Sequence, residues 1–429
     1  MKQAFGSIKN YDWGKKGSDS FIYKLVDSPY SNVPYAELWM GTHTSGSCDI
    51  LEKDKKININ EFLQANPSFL GCAKDFETAP LPFLFKILSI SKPLSIQVHP
   101  NKTEAEQLNQ AQPKIYRDAN HKPEMAVALT KFEALIGLRN YKAISFILTH
   151  LHPLQSCIDT DLFRRLNYDC FAEDENSMEL IKKLFAGFFQ MSPDQIKSVT
   201  KGLKEFIKTY DHTIEVNKPT DVSVQEIFHV FNVLILNHGE SDVGCIVGLF
   251  LNYILLDPHE GVFLKAKTIH AYLSGDCVEC MACSDNVIRA GLTTKFKDCE
   301  TLLKVMDFGY ENVESYRVIV EMDNLKTASA DKCIIQRRYN VGLEEFVVES
   351  FETTDFVGSF RLNPIGSASF IIVLEGAGTF ENESEDIKMD FTQGTIIFSR
   401  AMEEVCVCVT ENQKKMLFYR ATSNQTKSV

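Results

Sequence analysis

Hydrophobic positions change their period twice along this chain. Up to about residue 150, short runs rich in β-branched and aromatic residues alternate with turn residues, as in PYAELWMGTHTSG from Pro34 and LPFLFKILSI from Leu81. That pattern predicts strands with a few short helices, one of them following Thr103. Between about 150 and 237 the apolar positions fall three and four apart, at Leu180, Ile181, Leu184, Phe185 and Phe188, then Ile196, Val199, Leu203, Phe206 and Tyr210. This is helix spacing. Ser192-Pro193-Asp194-Gln195 predicts an N-cap, a proline at the first helical position and a capping-box glutamine, with Ser223 and Glu226 as a second box. From about 238 strands return, in GVFLKA, CVECMA, RVIVEM, FIIVLEGAGTF, GTIIFS and VCVCV. Many short strands at this spacing imply a sandwich or barrel. The division expected is a mainly β domain in two parts, 1–150 and 238–325, a helical insertion at 151–237, and a C-terminal β domain at 326–429.

Composition narrows the class. At 429 residues, 44% hydrophobic and 24% charged, the chain reads as an ordinary soluble protein of several domains. With 45 basic against 57 acidic residues it carries a formal charge of −12, which opposes binding to a nucleic-acid backbone. The opening MKQAFGSIKNYDWGKKG lacks the apolar core of a secretion signal, so a cytoplasmic address is expected. VGCIVGLFLNYILL from Val243 is too short and interrupted for a membrane span and reads as core. The twelve cysteines, scattered from Cys48 to Cys408, read as reduced thiols.

Three clusters carry chemistry. In Leu94-Ser95-Ile96-Gln97-Val98-His99, strand alternation sends Leu94, Ile96 and Val98 to one face and Ser95, Gln97 and His99 to the other. An isolated strand histidine is usually structural, but the preceding run Phe83-Leu84-Phe85-Lys86-Ile87-Leu88 is apolar enough to be buried on both faces. Lys86 therefore needs a partner or a ligand. In His121-Lys122-Pro123-Glu124, Glu124 stands at the threshold of the apolar run Met125–Leu129. In the third cluster, from His270 to Ala282, Ser274-Gly275-Asp276 reads as a tight turn between two strands. Glu279 then sits mid-strand among apolar neighbours, where an acid is paired or functional. Cys277, Cys280 and Cys283 cannot close on one ion from a strand, because Cys280 faces away from the other two.

These clusters, in this order, resemble type I phosphomannose isomerases. The matching segments are YDWG from Tyr11, PYAELWMGTH from Pro34, LPFLFKILSISKPLSIQVHP from Leu81, HKPEMAVALTKFEAL from His121, HAYLSGDCVECMA from His270 and DNVIRAGLTTKF from Asp285. They span most of the first 300 residues. The remainder matches in pattern and position. The resemblance implies a metal-bearing cupin barrel, an inserted helical domain and a second, metal-free jelly-roll barrel. It implies one zinc ion per chain, with Gln97, His99, Glu124 and His270 as ligands, and a catalytic Arg289. It also implies that Trp13, His43, Lys86, Ser95, Lys122, Tyr272, Asp276 and Glu279 line or support a sugar-phosphate pocket. One departure is that the family usually has proline directly before the last ligand, where this chain has Lys267-Thr268-Ile269-His270.

With that ligand set only Glu124 is negative, so the site keeps a charge of about +1 and stays electrophilic. Polarising a carbonyl is the role a metal plays in aldose-ketose interconversion. Lys86, Lys122 and Arg289 supply local compensation for a phosphate within an acidic protein. The expected activity is interconversion of mannose 6-phosphate and fructose 6-phosphate through an enediol, feeding mannose into GDP-mannose and glycosylation. Glu279 is the first candidate base; His43 and Lys122 are weaker candidates for proton shuttling. Two competing readings are a non-catalytic sugar-phosphate-binding cupin and an iron-dependent cupin oxygenase. The basic cluster argues against the oxygenase. A monomer is expected, without nucleic-acid or membrane partners. All ten histidines lie at or before His270, so the C-terminal domain has no histidine-based metal centre. Cys406 and Cys408, sharing a strand face amid valines, read as packing.

Overall fold

The computed structural model describes residues 1–72, 80–168, 174–210, 223–326, 333–354, 356–409 and 415–424. Its centre is the strand Phe83–Ile90, buried at every position, as its almost unbroken apolar sequence requires. It pairs on one side with Glu37–Met40 and on the other with His270–Ala282. These strands belong to a ten-stranded sheet among the described residues, running Leu251–Leu256, Phe132–Leu138, His270–Ala282, Phe83–Ile90, Glu37–Met40 and Ser7–Lys9. Four shorter strands attach beside it. Glu124–Ala128 joins Gly261–Leu264 to His270–Ala282, and Ile96–Val98 joins Ile288–Gly291 to the same long strand.

A nine-stranded sheet comes mostly from residues 320–422, but its far end is N-terminal: Lys2–Phe5 pairs with Ile396–Ser399 and with Asp49–Glu52. Facing it is a four-stranded sheet, in which Val405–Val409 lies between Gly358–Leu362 and Gly378–Asn382. Phe351, Ile371 and Phe418 from the large sheet meet Phe360, Phe380 and Val407 from the small one. The opposite face of the large sheet, with Tyr339, Val348 and Phe370, packs on Phe83, Phe85, Ile87, Val278 and Cys280.

The helical region forms as the periodicity predicts, with helices Glu175–Gln190, Pro193–Thr209 and Val224–His238. Ser192 and Gln195 complete a reciprocal capping box. At Ser223 the serine half forms, its Oγ accepting from the Glu226 amide at 3.2 Å. Leu180, Leu184, Phe185 and Phe188 bury their stripe against Ile96, Leu135, Ala271 and Leu273 of the ten-stranded sheet. At about 1.5–3 kcal/mol per fully buried large side chain, this shared core holds the helices on the sheet. The Val243 run is core, as a short helix, a 3-10 turn and the strand Leu251–Leu256.

One local expectation is overturned. Ser274-Gly275-Asp276 is not a turn: His270–Ala282 is a single strand of 13 residues. Gly275 has φ +112°, and the register against Phe132–Leu138 shifts between Glu133 and Ala134. The shift leaves Leu273 as the extra residue of a β-bulge, and Gly275 lies just beyond it with the positive φ that sequence reads equally as a turn.

Candidate active site and metal centre

The bulge decides which side chains share the site. Before it, Ala271 and Leu273 face the helices; after it, Val278 and Cys280 face the nine-stranded sheet. One extra residue switches parity, so even-numbered His270 and Tyr272 and odd-numbered Glu279 point to the same interior. A Cβ on Gly275 would stand 2.5 Å from the Lys131 carbonyl oxygen.

Three strand ends bring His99, Glu124 and His270 together, with one potential ligand atom each and all of these within 4.8 Å of one another. His99 follows Ile96–Val98 directly, Glu124 opens its strand, and His270 stands opposite Gln97 in register. Glu124 Oε2 lies 3.4 Å from His99 Nε2 and 3.3 Å from His270 Nε2. The outer nitrogens are occupied: His99 Nδ1 contacts the Asn286 carbonyl at 2.6 Å and His270 Nδ1 that of Thr268 at 2.9 Å. A carbonyl only accepts, so each Nδ1 carries the proton and each Nε2 presents a lone pair inward. Burial drives the His99 pKa down to about 4 against the opposing pull of Glu124, so its ring is neutral at pH 7. Burial would raise the Glu124 carboxyl, but Lys122 and His99 outweigh it and hold it well below its ordinary value. Lys122 Nζ takes Glu124 Oε1 at 3.0 Å.

These residues fit a divalent ion. His99 Nε2 and Glu124 Oε2 are buried with no hydrogen-bond partner, an expensive arrangement unless a ligand satisfies both. Gln97 stands beside them on the cavity wall, its amide nitrogen 3.2 Å from His270 Nε2. Two imidazoles, a carboxylate and an amide suit zinc with room for another ligand. The approach to His270, lacking proline, is set by Lys267, whose φ is +72° and whose amide donates to the His99 carbonyl at 2.7 Å.

A cavity of about 440 Å³ opens beside this group, lined by Trp13, His43, Lys86, Ser95, Gln97, Lys122, Glu124, Tyr272, Glu279 and Arg289 among others. His99 and His270 do not reach its wall. Asp276 also lies outside it, accepting from Ser89 at 2.6 Å, Lys15 at 2.6 Å and Thr130 at 2.9 Å. Within the wall, Lys86 Nζ donates to Glu279 Oε2 at 2.8 Å. Burial would lower the Lys86 pKa, but Glu279 and Glu37 hold it above its ordinary value. Burial raises the Glu279 carboxyl in spite of Lys86. His43 Nε2 pairs with Asp285 at 3.3 Å. Arg289 has no ion-pair partner among the described residues, and burial lowers its pKa.

Glu37 and Lys295 also line the cavity but do not stand out in the sequence reading. Glu37 Oε2 accepts from Trp39 Nε1 and lies 3.9 Å from Lys86 Nζ. Its signal was an acid inside the apolar strand Glu37–Met40, the criterion that singled out Glu279. Lys295 comes from a loop after Gly291, beside the Tyr11 ring at 5.6 Å, and no periodicity marks it.

Residues 3–141 match the family described as phosphomannose isomerase type I, catalytic domain. A relative named probable mannose-6-phosphate isomerase, from Echinococcus multilocularis, is 36% identical over 97% of this chain and 98% of its own. The crystal structure of a mutant phosphomannose isomerase from Salmonella typhimurium superposes with TM-score 0.79 at 25% identity, covering 99% of this chain and 100% of that one. A mannose 6-phosphate isomerase bound with zinc and yttrium superposes with TM-score 0.78 at 25% identity and the same coverage. The mostly-sheet, cupin-type architecture with a helical unit is therefore shared across the whole length, and this chain belongs to the mannose-6-phosphate isomerase family.

Proposed function

We propose that this protein interconverts mannose 6-phosphate and fructose 6-phosphate, with one zinc ion per chain held by Gln97, His99, Glu124 and His270. The observation that carries the reading is the buried, unpartnered pair of ligand atoms on His99 and Glu124, set beside a cavity that also holds Glu279, Lys86 and Arg289. When bound, the ion supplies Lewis acidity toward a carbonyl oxygen. Glu279 takes the proton from C2 of the open-chain sugar as O1 gains a proton, leaving an enediol, and then returns the proton to C1 as the O2 hydroxyl loses its own, giving the ketose. Its raised pKa suits a base that must also act as an acid. Lys86 holds that carboxylate in place. Arg289, half-buried and without an ion-pair partner among the described residues, binds the phosphate or the enediolate with its planar fork. His43 and Lys122 are placed to relay protons at the sugar hydroxyls, and Trp13, Ser95 and Tyr272 shape the pocket. Asp276 supports it from behind by tying Lys15, Ser89 and Thr130 together.

Such an activity feeds GDP-mannose synthesis, and we place it in the cytoplasm as a monomer. Among the described residues no helix is long and apolar enough to cross a membrane. The deciding experiment is an isomerisation assay on mannose 6-phosphate with and without a chelator and added zinc. Turnover that the chelator abolishes and zinc restores is expected. Binding without turnover would leave a sugar-phosphate sensor, and activity that returns only with iron and dioxygen would make the protein an oxygenase.

A further inference from the structure

A second, larger cavity of about 750 Å³ opens in the C-terminal sheet, and it shares no lining residue with the catalytic one. Four neighbouring strands build its floor. Glu321 stands opposite Arg338, Arg338 opposite Glu349, and Glu349 opposite Arg420, so side chains of alternating charge form one row on one face. The inner pair is closed. Arg420 donates to Glu349 Oε2 from Nε at 2.8 Å, with its terminal nitrogen at 2.6 Å. Gln336 takes Glu349 Oε1 at 3.0 Å, and the Asn363 carbonyl takes the remaining arm of Arg420 at 3.0 Å. Glu349 and Arg420 are both buried, and fully paired they make a rigid, neutral floor.

Arg338 is left over. Among the described residues it has no ion pair, and its contact is a long one, 3.4 Å to Asn424 Oδ1. Its Nε is buried without a partner, as is Oγ of Ser423, a residue only 2% exposed that also lines the cavity. A buried donor left unpaired loses its hydrogen bond to water with nothing in exchange, and an acceptor entering the cavity would restore one.

The geometry points to a ligand site here for a small hydroxylated carboxylate, held by Arg338 and Ser423. A guanidinium edge matches the two oxygens of a carboxylate, and Ser423, from the same cavity wall, offers a further hydrogen bond. The rest of the lining selects the charge. Glu321, Asp323 and Glu349 outnumber Arg338 and Arg420 by one, so a single negative charge is tolerated better than a phosphate dianion. The exposed carboxylates of Glu321 and Asp323 are free to accept from ligand hydroxyls.

The test uses zinc-loaded full-length protein labelled with 15N-arginine and titrated at constant ionic strength with D-gluconate, D-glucitol and inorganic phosphate. The Arg338 Nε–H resonance, assigned by its loss in Arg338→Met and in Arg338→Lys, should move saturably with gluconate. It should stay still with glucitol and move with phosphate only at several-fold higher concentration. Glu321→Gln should tighten gluconate several-fold, and Arg338→Met should isomerise sugar phosphate at the wild-type rate. An Arg338 resonance indifferent to gluconate, or equally responsive to glucitol, would overturn the site. Tighter binding of phosphate than of gluconate would overturn the carboxylate assignment. If neither Arg338 variant folds, calorimetric titration decides the matter: saturable binding of gluconate to the wild type, tighter in Glu321→Gln and absent with glucitol, upholds the site, and no binding of gluconate overturns it.

Discussion

Lys86 and Glu279 stand directly opposite one another on adjacent antiparallel strands, joined at 2.8 Å, each almost wholly buried. A buried ion pair loses most of its worth when one partner is removed, because the other charge is stranded. Lys86→Met leaves Glu279 and Glu37 without their shared cation and should lower stability by about 3–5 kcal/mol, measured by urea unfolding. Lys86→Met combined with Glu279→Gln should recover part of that loss. No recovery would show that the cost lies in packing rather than in the stranded charge.

Glu279→Gln keeps the shape of the side chain and removes its basicity. Turnover should fall by about 10²–10⁴, and exchange of the substrate C2 proton with solvent should vanish, while zinc content by metal analysis stays at the wild-type value. Normal exchange in this variant would take the base role away from Glu279.

His270→Ala removes one of the inward lone pairs and should lose both metal and activity. Full metal occupancy with wild-type turnover would refute the ligand set. Chelation should likewise abolish turnover in the wild type, with recovery on adding zinc.

In the metal-free protein the site should make stability depend on pH in a defined window. His99 titrates near 4 when folded but near 6.5 in an unfolded chain. Between those values the unfolded state binds more protons, so stability rises with pH. Acidification from 6.5 to 4 should therefore cost on the order of 3 kcal/mol, with the loss complete below pH 4. Glu124, held below its ordinary value, acts in the same direction at lower pH. Urea midpoints of chelator-treated wild type and His99→Gln, compared at pH 7 and pH 5, read this out. Equal acid shifts in the two proteins would exclude His99 as the source.

Gly275→Ala places a Cβ 2.5 Å from the Lys131 oxygen on backbone with φ +112°, a region that side-chain-bearing residues rarely occupy. Either the bulge flattens or the strand shifts. Stability should drop by about 1–3 kcal/mol and turnover should fall with it, because His270, Tyr272 and Glu279 no longer share a face. A variant with wild-type melting temperature and activity would show that the bulge can form without the glycine.

Local pattern made much of this site legible. Lys86 in an apolar strand implied a buried partner, and Glu279 in another implied the same; each turned out to be the other's. Glu37 meets the same criterion but opens a strand of only four residues, too short a run for periodicity to mark it as buried. The Ser192 box formed because capping depends only on residues three apart. The 274–276 turn failed for a related reason. A glycine flanked by polar residues signals positive φ, but positive φ serves a hairpin and a bulge equally, and only pairing with Phe132–Leu138 and Phe83–Ile90 on either side keeps the strand continuous.

Sequence alone settled what periodicity and burial cost dictate: a sheet-rich chain with a helical insertion, its buried charges and its family likeness. Tertiary structure alone decided what depends on register between distant segments. Lys2–Phe5 closes against a strand nearly four hundred residues later. Carbonyls of Asn286 and Thr268 orient the two imidazoles. A single bulge turns residues of opposite parity toward one cavity. Spacing along a strand sets which neighbours share a face, but which strands meet, and at what offset, is set by packing of whole sheets, and no local pattern encodes that offset.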